Sequence, residues 1–161
     1  MKFSKKELII LISIIVVIII GYFGSKYYVD NRFDYYIVEG NSMNPNIKDK
    51  AEVKVDKFAK TDRFDIVVID LGDHEIVKRV IGIPGDSLKF TKDDKLFINN
   101  KEVDYPFEIL GTTRSVEEEI TLDYQFYYVL GDNRDDAYDS RSFGKVSKSQ
   151  IVGVVVDINN Q

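Results

Sequence analysis

No cysteine occurs in the 161 residues, and histidine occurs once, as His74. The first absence removes a disulfide framework and thiolate zinc sites, and the second removes His-rich metal ligation. Any chemistry has to come from hydroxyl, amine and carboxylate groups, so no metal or cofactor is expected. Runs of basic residues are also lacking. Lysine and arginine number 22 against 27 aspartates and glutamates, a net charge of −5. Residues 1–30 carry +2 and the other 131 carry −7. An acidic chain without a basic run argues against nucleic acid as the partner. There is no internal repeat and no low-complexity tract.

One long apolar stretch is present. Lys2, Lys5 and Lys6 precede Leu8–Ile20, thirteen residues of which only Ser13 is polar, and Gly21–Gly24 extend it to seventeen. At ~1.5 Å per residue this gives about 25 Å of helix, near the short end of what crosses a hydrocarbon core of roughly 30 Å. A cleaved signal peptide would place small residues after the apolar run, but Tyr22 and Phe23 stand there. Tyr27 and Tyr28 supply an interfacial aromatic belt, which favours an uncleaved anchor. Lysines before the span and Asp30 after it orient the N-terminus toward the cytoplasm. The expected layout is a cytoplasmic N-terminus 1–7, an anchor 8–25, a stalk 26–33 and an extracytoplasmic domain 34–161. The chain would then be a single-pass protein of the cell membrane, with the lipid bilayer as one partner.

About 130 residues beyond the anchor suffice for one core. Apolar residues there recur in short β-branched and aromatic runs separated by Gly, Pro, Asn and Asp, which predicts a mostly β domain. Strands are expected at Tyr35–Val38, Ala51–Val55, Ile66–Ile69, Glu75–Ile83, Ser87–Phe90, Lys95–Ile98, Val116–Leu122, Phe126–Leu130 and Val152–Ile158. Asn99-Asn100 reads as a hairpin turn. No segment after the anchor holds a helical period over three turns, although Lys145–Ile151 could form one short turn.

Three stretches stand out chemically. Asn41-Ser42-Met43-Asn44-Pro45 is a polar loop after a strand, with Pro45 blocking helix, and a serine there is ordinarily a turn residue. Val77-Lys78-Arg79-Val80 puts a basic pair inside an apolar strand. Strand alternation sends Lys78 and Arg79 to opposite faces, so one of them can point inward. The plain explanation is an edge strand guarded by lysine. The functional one is a lysine in an apolar site. Its ordinary pKa of ~10.4 leaves under one part in a thousand neutral at pH 7, and desolvation lowers it by up to ~3–5 units, freeing an amine to deprotonate a serine. The third stretch, Gly131–Gly144, alternates carboxylates with Arg134 and Arg141 at spacings suited to internal ion pairs that could form a rigid wall.

Together these stretches resemble the bacterial type I signal peptidases. Ser42-Met43-Asn44-Pro45 is similar to the family's nucleophile motif, and Arg63-Phe64-Asp65-Ile66-Val67-Val68 to its next box. Lys78-Arg79-Val80-Ile81-Gly82-Ile83-Pro84-Gly85-Asp86 is similar to its lysine box, and Gly131–Gly144 to its last, in family order along the chain. The resemblance implies an N-terminal transmembrane helix followed by one compact β-rich catalytic domain of signal peptidase type. It also implies a serine endopeptidase that removes signal peptides from exported pre-proteins. In this reading Ser42 is the nucleophile, with its backbone N–H in the oxyanion hole, and Lys78 is the general base. Val38, Met43, Ile47, Ile76 and Val77 would line shallow pockets for the small residues at −1 and −3. Asp139 and Arg141 would form a structural ion pair near the lysine, with Arg134 in the supporting wall. The substrate would bind as an added strand.

The sequence departs from the family pattern at two places. Ala137 stands where a lysine-bonding serine is common, and Gly40 where many members complete the oxyanion hole with serine. The 44 residues between Asp86 and Gly131 leave no room for a large inserted domain, which implies a minimal form of Gram-positive type. The alternative reading is a catalytically weak or inactive relative acting in assembly or binding. A self-cleaving repressor-type Ser/Lys protease would share the β-fold, but a membrane anchor does not suit it.

Overall fold

Ser4 opens the first element. Its side chain accepts from the Glu7 backbone N–H at 3.3 Å while the Glu7 carboxylate accepts from the Ser4 N–H at 2.8 Å, a capping box that starts the helix. In the computed structural model, which describes residues 4–113 and 119–160, this helix α1 runs Lys5–Asp30. It therefore takes in residues 26–30 of the segment expected to be a stalk. Its 26 residues extend about 39 Å. The helix is apolar all round its Leu8–Ile20 stretch rather than along one stripe, and its side chains there are exposed. Among the described residues it alone is long and apolar enough to cross a membrane, with a mean hydropathy of 2.8.

The chain divides into a unit ending at Phe33 and a second unit from Asp34 onward. Among the described residues eleven strands follow α1: β1 Phe33–Ile37, β2 Glu52–Asp56, β3 Ile66–Asp70, β4 Glu75–Gly82, β5 Ser87–Phe90, β6 Leu96–Ile98, β7 Lys101–Val103, β8 Ile120–Thr121, β9 Phe126–Leu130, β10 Val146–Ser147 and β11 Ile151–Asn159. A seven-stranded sheet has the order β1-β2-β11-β3-β4-β9-β10, and a four-stranded one the order β7-β6-β5-β8. The expected mostly β architecture is present. Residues 116–118 of the expected strand Val116–Leu122 lie outside the described residues, and β8 is its described part.

Local sequence explains the central elements. Ile66-Val67-Val68-Ile69 is buried along its whole length, as a strand covered on both faces must be, and β3 lies between β11 and β4. Asn99 and Asn100 both have positive φ, 51° and 64°, and join β6 to β7 with Ile98 opposite Lys101. That is the two-residue hairpin the Asn-Asn pair encodes. The basic pair in β4 is not an edge guard, because Arg79 pairs with Ile66 of β3 and with Leu130 of β9. Both members are buried, Lys78 at 4% and Arg79 at 7% exposure.

The large sheet curls, so Tyr36–Glu39 at its β1 end face Glu75–Lys78 of β4 across a cavity. One apolar cluster, including Val38, Met43, Ile47, Val53 and Val68, fills the curl beneath that cavity. A second, around Phe90, Leu88 and Leu122, joins the two sheets, and a third packs Val67, Val80 and Val129.

Candidate functional site

Ser42 sits in a loop anchored at both ends. The Val38 N–H donates to the Ala51 carbonyl at 2.9 Å and the Lys50 N–H to the Val38 carbonyl at 2.8 Å, closing the segment between them. Within it the Ile47 N–H donates to the Met43 carbonyl at 2.9 Å, and both side chains are fully buried. Ser42 is left half-buried at the lip of the cavity. Gly40 holds a φ of +88°, a backbone conformation open to glycine at no steric cost, and its N–H donates to Asp49 Oδ1 at 2.7 Å.

The Gly131–Gly144 segment supports this loop from below. The Asn133 N–H donates to the Ser42 carbonyl at 3.0 Å. Gly131 fits so closely that a Cβ there would lie 2.6 Å from the Ser42 carbonyl oxygen and 2.4 Å from the Ala137 Cβ. Gly131→Ala is therefore expected to push the Ser42 loop out of place. A displacement near 1 Å costs roughly 10²-fold in rate, which steady-state kinetics on a folded variant would show as a loss in kcat.

Lys78 reaches Ser42 from β4. Its Nζ donates to Ser42 Oγ at 2.9 Å and to the Val77 carbonyl at 2.8 Å. Burial dominates its electrostatics and pulls the pKa down to about 8, while Asp139 and Asp132 act in the opposite direction by charge alone. Near neutrality a useful fraction of the amine is thus unprotonated. With alanine at 137, the second hydrogen-bond acceptor for Nζ is the Val77 backbone rather than a side-chain hydroxyl.

Buried ion pairs hold the surrounding wall. Arg79 binds Asp132 through two bonds, Nε to Oδ1 at 2.8 Å and Nη2 to Oδ2 at 2.6 Å. Its Nη1 donates to the Phe64 carbonyl at 2.9 Å, and its guanidinium lies 3.9 Å over the Phe107 ring. Asp132 also accepts from Asn46 Nδ2 at 2.9 Å, tying the Ser42 loop to the wall. Asp139 is fully buried. It caps the short helix α2, Ser140–Phe143, by accepting from the Arg141 N–H, binds Arg141 Nε and Nη2 at 2.8 Å each, and accepts from the Gly131 N–H at 3.0 Å. The Asp139–Arg141 pair raises the Arg141 pKa even though burial opposes it. Arg134 is buried as well, donating from Nε to the Gly131 carbonyl at 2.9 Å and from Nη1 to the Thr113 hydroxyl.

The cavity between β1 and β4, about 330 Å³, is lined by Tyr36, Ile37, Val38, Glu39, Ser42, Val68 and Glu75–Lys78. Val38, Ile76 and Val77 are thus at the cavity together with Ser42 and Lys78. Met43 and Ile47, expected to line pockets, instead lie fully buried in the cluster beneath, where their shared turn folds them inward. Sequence reasoning missed Tyr36, Val68, Asp132 and Asn46. Asp132 left a signal, because an arginine inside an apolar strand requires a buried carboxylate and the last box contains several.

The sequence profile of the signal peptidase, peptidase S26, family matches residues 5–158. The chain belongs to this family. Among signal peptidase relatives, the protein is 41% identical over 140 residues to "Signal peptidase I V" of Bacillus subtilis, covering 76% of this chain and 83% of that one. It is 34% identical over 174 residues to "Signal peptidase IB" of Staphylococcus aureus, covering 94% and 88%. A crystal structure of a signal peptidase I from Enterococcus faecalis superposes with a TM-score of 0.50 at 28% identity, covering 60% of this chain and 97% of that one. The signal peptidase fold, an apolar N-terminal helix and a curled antiparallel sheet, is therefore present here.

Proposed function

We propose that this signal peptidase family member removes signal peptides from exported pre-proteins by acyl-enzyme catalysis, with Ser42 as nucleophile and Lys78 as general base. The observation that carries the reading is the 2.9 Å bond between Lys78 Nζ and Ser42 Oγ, made by a lysine whose pKa burial holds near 8. The neutral amine takes the Ser42 proton as Oγ attacks the scissile carbonyl. The Ser42 backbone N–H donates to no acceptor among the described residues, and in this reading it binds the oxyanion. Collapse breaks the C–N bond, and the Lys78 ammonium returns its proton to the departing amine of the mature protein. Water, deprotonated by the same amine, then attacks the ester on Ser42, and the Lys78 ammonium returns that proton to Ser42 Oγ as the acyl–oxygen bond breaks and the signal peptide leaves.

Two free strand edges suit an extended substrate. β1 ends the large sheet, and β4 pairs with β9 only from Arg79 onward, so Glu75–Lys78 lack a strand partner on one edge among the described residues. Both edges line the cavity, and a peptide laid between them would gain main-chain hydrogen bonds on both sides. Val38, Ile76 and Val77 would then bound the −1 and −3 side chains. The layout 1–7, 8–25, 26–33 and 34–161 places α1 in the membrane, with the N-terminus cytoplasmic and the catalytic domain outside. An assembly factor without activity has no need of a lysine amine held against a serine hydroxyl.

The test is cleavage of a pre-protein with an Ala-X-Ala site by the full chain in detergent, followed across pH. For a base that must be neutral, kcat/KM rises with pH through about 8 and levels above it. A rate independent of pH between 6 and 10 would remove Lys78 from the base role.

A further inference from the structure

The Ser42 loop is held by a side chain that lies outside all four family-like boxes. β11 ends at Asn159, which pairs with Glu52 of β2, so the next residue, Asn160, emerges beside the turn that closes the loop. Its amide makes two bonds there. Oδ1 accepts from the Lys48 N–H at 3.0 Å, and Nδ2 donates to the Asn46 carbonyl at 3.1 Å. One planar group thus takes a main-chain donor and a main-chain acceptor that lie 112 and 114 positions away in sequence.

Asn46 is gripped from two sides. Its side chain donates to Asp132 Oδ2 at 2.9 Å and to the Glu108 carbonyl at 2.7 Å, while its main chain is fixed by Asn160. The path from there to Ser42 is short. The Ile47 N–H donates to the Met43 carbonyl at 2.9 Å and the Asn44 N–H to the Asn41 carbonyl at 3.1 Å, so residues 41–47 form one hydrogen-bonded coil. Buried Met43 and Ile47 hold its inner side, and the Asn133 N–H holds the Ser42 carbonyl at 3.0 Å. On the solvent side, where Lys48 is exposed, the Asn160 amide is the tie to the sheet. The bonds from Gly40 to Asp49 and from Lys50 to Val38 join the two ends of the loop to each other. Lys78 has no share in any of these, since its Nζ bonds go to Ser42 Oγ and the Val77 carbonyl. The sheet places the amine, and the loop places the hydroxyl.

We propose that Asn160 is a positioning residue that acts through the Asn46–Lys48 turn to hold the Ser42 hydroxyl against Lys78. This rests on the peptide-cleavage reading above. Without the amide, the turn is free to pivot about the Asn46 side chain, and the hydroxyl occupies its attacking geometry less of the time. Both bonds lie at the exposed surface and compete with water, so the effect is moderate, about fivefold in the rate of acylation.

The experiment follows release of the amine half of a peptide with an Ala-X-Ala site in single turnovers. Wild type and Asn160→Ala are used as full chain in detergent, in saturating excess over the peptide, across pH. The first-order rate constant under these conditions does not depend on what fraction of the protein is folded, so a loss of stability alone leaves it unmoved. In Asn160→Ala this constant is expected to fall about fivefold, with its pH midpoint still near 8, because Lys78 stays buried. A rate constant within about twofold of wild type overturns the proposal. So does a slower rate whose midpoint has moved toward 10.5, which would make Asn160 a support for the burial of Lys78 rather than for the place of Ser42. Failure of wild type to cleave the peptide overturns the hydrolytic reading, and this inference with it.

Discussion

Replacing Ser42 by alanine is expected to lower kcat/KM on a signal-peptide substrate by a factor on the order of 10⁴ or more, and replacing Lys78 by methionine by a comparable factor. The two groups act as one unit through a single bond, Nζ to Oγ at 2.9 Å, so the double variant should be scarcely slower than either single one. The substitutions should differ in stability. Ser42 is half-buried and its Oγ has no other hydrogen-bond partner among the described residues, so its loss should barely alter the fold. Lys78 is 4% exposed, and burial lowers its pKa from 10.5 to about 8. The folded state therefore opposes protonation, and the unfolded state binds more protons between those two values. Stability contributed by this group is thus lowest below pH 8 and recovers as pH rises toward 10.5. Methionine keeps the volume and removes the charge, so Lys78→Met should stabilise the folded protein at pH 7 by up to ~3 kcal/mol, with the advantage gone above pH 10.5. Thermal unfolding at both pH values measures it. A dead enzyme that is more stable than wild type is the signature of a lysine kept for chemistry rather than for packing.

Asp132→Ala should have the opposite character and the largest effect on stability. It strips Arg79 of both carboxylate bonds while leaving the guanidinium buried under Phe107, and breaking a buried pair from one side costs about 3–5 kcal/mol. Against a total of about 5–15 kcal/mol, this is a large share. The melting temperature should fall by roughly 10–15 °C. Substituting both partners by apolar residues, Arg79→Met with Asp132→Leu, should recover much of the loss, because no charge is then stranded. A double variant as unstable as Asp132→Ala would show that the pair contributes by more than mutual neutralisation. Asn46 extends the effect to activity, since it ties the nucleophile loop to the same carboxylate.

Much of this protein could be read along the chain, and what could not has identifiable causes. β3 and β4 were visible because continuous β-branched runs bounded by turns leave few other options, and Asn99-Asn100 because paired positive φ angles favour those residues. The short α2 was not foreseen. It depends on a cap from Asp139, a residue that in sequence is one of several aspartates in a charged loop. Lys78 and Arg79 were legible as an anomaly, but not as two buried cations with separate partners, since strand alternation gives a direction and never a partner. Met43 and Ile47 show the reverse failure. Only the family resemblance suggested them as pocket walls; the Ile47-to-Met43 hydrogen bond turns both side chains down into the core.

The central claim is that Ser42, activated by Lys78, carries the acyl group. Its most direct test is mass spectrometry of the full chain, quenched in acid during turnover of a slowly hydrolysed peptide ester ending in an Ala-X-Ala acyl group. The mechanism predicts an adduct equal to the acyl half of the substrate on the peptide containing Ser42, absent in Ser42→Ala and in Lys78→Met. Cleavage that proceeds with the adduct on another residue, or that survives in either variant, would contradict it.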